Sequence, residues 1–103
     1  MKCFVTFRLR PGVTPEQYEE WFRVHNVPAV RKMASISSYR VWRAVDAMEG
    51  EPPYDYIEEM EFDDRAAFDA EVEGLSEMAA MLEGWSERVT DAAIVYAVEI
   101  RQE

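Results

Sequence analysis

Apolar and polar residues alternate from the start of the chain. Over residues 2–10, Cys3, Val5, Phe7 and Leu9 share one side of an extended segment, and Phe4 and Thr6 on the other side also suit burial. This predicts a strand covered on both faces for most of its length and ended by Pro11-Gly12. Thr14-Pro15-Glu16-Gln17 then reads as a helix start: Thr14 caps, Pro15 takes the first helical position and Gln17 completes a capping box. Tyr18, Trp21, Phe22 and His25 recur at i, i+3, i+4 and i+7, one stripe of that helix. Pro28 is expected to kink or end it near Asn26-Val27, with a short second piece running to about Met33.

Strand patterning returns at 36–45 and again at 54–62, where Tyr54, Tyr56, Glu58, Met60 and Phe62 share a face. Met48 to Pro53 form the loop between these two strands. Asp63 or Asp64 caps a second helix whose stripe is Phe68, Val72, Leu75, Ala79, Leu82 and Trp85. Gly74 interrupts that stripe and Ser76 offers a new cap, so two helical pieces are expected. Residues 92–101 give the last strand, with Ile94, Tyr96, Val98 and Ile100 on one face. The order β-α-β-β-α-β predicts a single α+β, ferredoxin-like domain over residues 1–103, a four-stranded antiparallel sheet with helices on one face. Its other face is too apolar to stand bare, so a homodimer packed sheet against sheet is expected.

Composition narrows the function classes. A formal charge of −10 argues against sequence-independent nucleic-acid binding. Residues 1–43 hold eight basic and three acidic side chains, a net +5, whereas residues 44–103 hold three and eighteen, a net −15. Cross-strand ion pairs between the halves explain this asymmetry, and a basic groove for an anion is the alternative. One cysteine, Cys3, excludes an intrachain disulfide. With no membrane span and no leader pattern at the N-terminus, the expected location is the cytoplasm. One histidine and one cysteine, far apart, make no multi-histidine or cysteine metal site, and no glycine-rich phosphate loop is present.

Arg8-Leu9-Arg10-Pro11-Gly12-Val13 with Tyr18-x-x-Trp21, then Ser35-Ile36-x-Ser38-Tyr39-Arg40-Val41, carry a family resemblance. Ser76-Glu77-Met78 and Val95-Tyr96-Ala97-Val98-Glu99 extend it over the whole chain. The chain resembles the dimeric α+β barrel superfamily, and within it the REDY-like, HapK-type family associated with prodigiosin biosynthesis. Tyr18-x-x-Trp21-x-x-x-His25-x-x-Pro28 is similar to an EthD-like motif, in which such a histidine lies in the pocket of some barrel isomerases. The resemblance implies a dimeric barrel and a small-molecule site without a cofactor. A second catalytic His or Cys of some relatives has no counterpart here.

His25, on the apolar stripe, is expected to point toward the sheet, where it is either a general acid–base or a hydrogen-bonded core histidine. Arg40 and Arg43 fall on opposite faces of the second strand, so one is expected to be buried against a carboxylate such as Glu58, Glu59 or Glu61. Trp21, Phe22, Trp42, Tyr56, Trp85 and Tyr96 are read as mostly facing the helix–sheet layer, where they pack the core or line a cleft for a flat aromatic or pyrrolic ring. Tyr39, Arg40 or Tyr56 then orients an oxygen, and Met33, Met60, Met78 and Met81 make the cleft adaptable. Three functions compete: a cofactor-free enzyme or biosynthetic accessory, a non-catalytic ligand carrier, and a structural dimer.

Overall fold

In the computed structural model, which describes residues 1–103, the chain runs β1 (Lys2–Leu9), α1 (Pro15–Trp21), a π turn (Phe22–Asn26), α2 (Val27–Val30), β2 (Ile36–Arg43), β3 (Tyr56–Phe62), α3 (Arg65–Gly74), α4 (Ser76–Ser86) and β4 (Val89–Ala97). The strands form one antiparallel sheet in the order β2-β3-β1-β4. This is the expected ferredoxin-like α+β fold with the helices on one face. The buried residues of β1 and β3 are Cys3, Val5, Phe7, Tyr56, Glu58, Met60 and Phe62, the period-2 set beneath the helices. Gly12, at φ 91°, makes the turn that leaves β1.

The helix signals read from the sequence are realised at both starts. Thr14 Oγ1 accepts from Gln17 N at 3.2 Å while Gln17 Oε1 accepts from Thr14 N at 3.0 Å, a reciprocal capping box. Asp64 caps α3 by accepting from Ala66 N and Ala67 N. The break at Gly74 is present, but Ser76 does not recap: Leu75 holds the N-cap position in an extended conformation without a side-chain bond.

Three one-residue insertions change which side chains face the helices. In the π turn, Val27 N–H reaches back to Phe22 O, one residue further than an α turn allows. It closes just before Pro28, so the missing proline N–H falls in the first turn of α2 and the chain stays helical through it. Opposite Phe62, an extra residue at Ser37 breaks the β2–β3 register, so Ile36 and Tyr39 share the helix side. At the start of β4, Asp91 adopts φ 53° where the β1–β4 register slips between Thr6 and Arg8. This bulge lets Val89 face the helices and then brings Ile94 and Tyr96 round to the same side.

Ion pairs join the basic first half to the acidic second half at Lys2 with Glu59 and Glu61, and at Arg8 with Asp55. Asp55 also accepts from Leu9 N at 2.8 Å, and Pro52 O accepts from Arg8 at 3.0 Å, which fastens the β2–β3 loop to β1. β4 starts and stops earlier than its pattern predicted, leaving Val98 and Ile100 exposed beyond the sheet.

Candidate functional site

A cavity of about 130 Å³ lies between the sheet and the helices, and thirteen of its fifteen lining residues are hydrophobic. Val5, Met60 and Tyr39 form part of its sheet wall; Val30, Met33, Met78 and Met81 come from the helical side. Leu82, Ile94 and Tyr96 are the exposed members of the lining and mark its mouth. The Arg65 guanidinium stacks 3.5 Å above the Tyr96 ring, which also meets Phe62 and Phe68 edge-on.

One polar cluster interrupts the apolar wall. Glu58 is 7% exposed, and its Oε1 accepts from Asn26 Nδ2 at 3.3 Å and lies 3.0 Å from the Tyr39 hydroxyl. The same hydroxyl lies 3.2 Å from Asn26 Oδ1, so its single proton serves one of two acceptors. Both bonds to Glu58 fall on Oε1, and no lysine, arginine or histidine lines the cavity. Burial pushes the Glu58 carboxyl up to about 6, against the pull of Tyr39 and Asn26, which favour its charged form. Burial and then the nearby Glu58 charge raise the Tyr39 phenol, which stays protonated.

Tyr39, Glu58, Trp85 and Tyr96 line this cavity together with the four methionines, and Glu58 does so without the arginine partner expected for it. His25 does not. The π turn rotates it outward, where it is exposed over Trp21 at 6.0 Å in an open groove with Val24, Pro28 and Lys32. Its neighbour Asn26 takes the inward position at 2% exposure. The 3.6-residue period cannot anticipate that exchange, although a buried amide four residues after Phe22 is compatible with the helix face.

The remaining candidates lie elsewhere. Arg40 and Trp42 project from the face of the sheet opposite the helices, because they pair with Glu59 and Ile57 rather than with the buried set. Neither arginine of β2 is buried: Arg40 makes no ion pair, and Arg43 meets Glu19 at 2.9 Å. Tyr56 is buried outside the cavity lining, stacked on Phe7 at 5.5 Å, and donates to Glu19 at 2.6 Å. Phe22 packs on Tyr39 from behind, at 6.2 Å between ring centres. The side chains grouped here include no cluster of three or more His, Cys, Asp or Glu that would hold a metal ion.

Solved structures place this architecture among known folds. HapK from Hahella chejuensis is 23% identical, with 100% of this chain and 98% of that one covered at a TM-score of 0.73. A dimeric ferredoxin-like protein from Thermobifida fusca is 20% identical over 94% of this chain and 89% of its own, at 0.72. A variant of SnoaB, described as a cofactor-independent oxygenase from Streptomyces nogalater, is 14% identical over 99% and 96%, at 0.69. At these identities the likeness speaks for the fold alone. No curated protein is significantly similar to the chain. The family model described as REDY-like protein HapK matches residues 1–100, and the chain belongs to that family.

Proposed function

We propose that the protein binds a small, uncharged, mainly apolar ring compound, aromatic or pyrrolic in shape, in the helix–sheet cavity and exchanges a proton with it through Glu58. The observation that carries this reading is a buried carboxyl with no cationic partner, facing an otherwise apolar cavity. A group in that setting changes charge near neutral pH, which suits a general acid or base. Anionic ligands are disfavoured, because nothing positive lines the wall and Glu58 repels them once ionised. The volume is suitable: an apolar cavity of about 150 Å³ is enough to admit benzene, and four methionines allow this one to adapt. Isomerisation, condensation and oxygenation without a cofactor all remain compatible chemistries, and SnoaB is described as performing the last on this fold.

The test is NMR of the methionine methyls with toluene, phenol and benzoate as probes. Toluene and phenol are expected to shift Met33, Met60, Met78 and Met81, benzoate to leave them unmoved at pH 8, and Glu58→Gln to remove the pH dependence of phenol binding. Unmoved methyls with every probe would overturn the reading.

A second copy of the chain is the proposed cover for the open sheet face. Phe4, Ile57, Trp42 and Val95 lie there, the last two 51% and 54% exposed. Lys2 and Arg40 beside Glu59 and Glu61 supply both charge signs for a two-fold contact. The related Thermobifida fusca protein is described as dimeric.

A further inference from the structure

Two of the one-residue insertions in this chain converge on a single atom. The π turn exchanges His25 for Asn26 on the inward side, and the extra residue at Ser37 turns Tyr39 toward the helices. Both side chains then meet Glu58 at the same oxygen. Asn26 Nδ2 donates to Oε1 at 3.3 Å, and the Tyr39 hydroxyl lies 3.0 Å from it. Each insertion interrupts a regular hydrogen-bond ladder, and such interruptions are frequent beside functional sites.

The other carboxyl oxygen is left open. Glu58 Oε2 makes no hydrogen bond, yet it is not fully enclosed, unlike the Tyr18 hydroxyl and the Trp85 indole Nε1. Glu58 lines the cavity and keeps 7% of its surface accessible, so Oε2 is the polar atom it offers there. The titratable groups facing Glu58 are Cys3 from β1, Tyr18 from α1 and Tyr39 from β2, each pushed upward first by burial and then by the Glu58 charge. Tyr96 from β4 lines the same cavity, and α2, α3 and α4 contribute no ionisable side chain to it.

The arrangement also decides where a proton sits. With the proton on Oε2, Oε1 is a carbonyl oxygen and keeps both donors. A proton on Oε1 would turn the Tyr39 hydroxyl toward Asn26 Oδ1, 3.2 Å away, and leave the Asn26 N–H a poorer acceptor. We infer that Glu58 gives and takes its proton through Oε2, with Asn26 and Tyr39 as positioning residues that occupy Oε1 and aim the free oxygen into the cavity. In the forward step a ligand O–H or N–H bond breaks, its electron pair stays on the ligand and an Oε2–H bond forms; the return step reverses both. This rests on the reading that the cavity binds an uncharged ring served by Glu58, and it adds which oxygen reacts and what orients it.

The experiment follows the Glu58 carboxyl by carbon-13 NMR between pH 4 and 9 in wild type and Tyr39→Phe, with and without saturating phenol. Tyr56→Phe, which loses a hydroxyl bonded to Glu19 instead, is the control. Expected is a Tyr39→Phe midpoint roughly 0.5 to 1 pH unit above wild type, with the Tyr56→Phe midpoint in place. In wild type the Asn26 side-chain amide signal is expected to follow the Glu58 midpoint. Phenol, donating to Oε2, is expected to lower the midpoint equally in wild type and Tyr39→Phe, because the two hydroxyls use different oxygens. The inference fails if Tyr39→Phe moves the midpoint no more than Tyr56→Phe does, or if the Asn26 amide signal stays flat. It also fails if phenol acts on Glu58 only once Tyr39 has lost its hydroxyl. Methionine methyls that still shift with phenol then keep the cavity reading. If no methyl moves with toluene or phenol, both fail.

Discussion

The Tyr39 hydroxyl lies 3.0 Å from Glu58 Oε1, so a strand-two phenol and a strand-three carboxyl are locked together on the helix side of the sheet. The pairing depends on the extra residue at Ser37, which turns Tyr39 toward the helices alongside Ile36. Asn26 joins them from the π turn, and none of the three residues carries a positive charge. The cluster favours an ionised Glu58, yet burial outweighs it.

That balance predicts a pH-dependent stability. With its carboxyl raised from 4.5 to about 6, the folded chain keeps a proton that the unfolded chain releases. The contribution is complete below about pH 4.5 and is lost as pH rises through about 6, amounting to about 2 kcal/mol. Glu59 and Glu71 are lowered, Glu59 first by its bond to Lys2 and Glu71 first by Ser35, and they act with the opposite sign. Urea unfolding of wild type and Glu58→Gln between pH 4 and 8 separates the terms. The variant is expected to gain on wild type as pH rises, and parallel curves would contradict the assignment.

Two buried tyrosines should respond in opposite ways to loss of their hydroxyls. Tyr56 donates to Glu19 at 2.6 Å, so Tyr56→Phe is expected to lower stability by about 1 kcal/mol. The Tyr18 hydroxyl has no such partner, and Tyr18→Phe is expected to be neutral or stabilising. Thermal melts of both variants decide it; a clear loss in Tyr18→Phe would mean that its hydroxyl is satisfied by the neighbouring Trp85 indole or Asn26 amide.

His25 and Asn26 should exchange the importance that sequence spacing assigns them. His25→Ala removes an exposed ring packed loosely on Trp21 and is expected to change stability by less than about 0.5 kcal/mol. Asn26→Ala strips two partners from a buried cluster and is expected to cost about 1–3 kcal/mol. Denaturant melts check both, and a large loss for His25→Ala would return that residue to the core.

Much of this molecule was legible in its sequence because periodicity is a local property. Cys3, Val5 and Phe7 alternate as a strand must, Thr14 and Gln17 form the capping box they spell, and Gly74 separates two helices. The same reasoning placed Trp85, Tyr96 and the methionines in the helix–sheet layer, where they line the cavity. It failed where one residue is inserted into an otherwise regular element. A π turn exchanges His25 for Asn26, and the bulge at Asp91 displaces the start of β4. Insertions of this kind cost local regularity and are held by tertiary packing, so no count of apolar spacing reveals them. Trp42 was misplaced for another reason: an aromatic residue fits the apolar pattern of a core and of an open sheet face alike.

That face supplies the last prediction. Trp42 sits opposite Ile57, next to Arg40 and Glu59, on the side of the sheet that no helix covers. A half-exposed tryptophan there contributes little to a monomer but much to a contact between two sheets. Trp42→Asp would place a carboxylate and its copy near the two-fold axis, where desolvation and mutual repulsion both oppose association. Sedimentation velocity is expected to give a dimer for wild type and a monomer for Trp42→Asp. Circular dichroism of the variant at concentrations where it is monomeric should keep the same strand and helix content. A wild type that sediments as a monomer throughout the micromolar range would leave the open face without its proposed partner, while a dimer unaffected by the aspartate would move the contact to another surface.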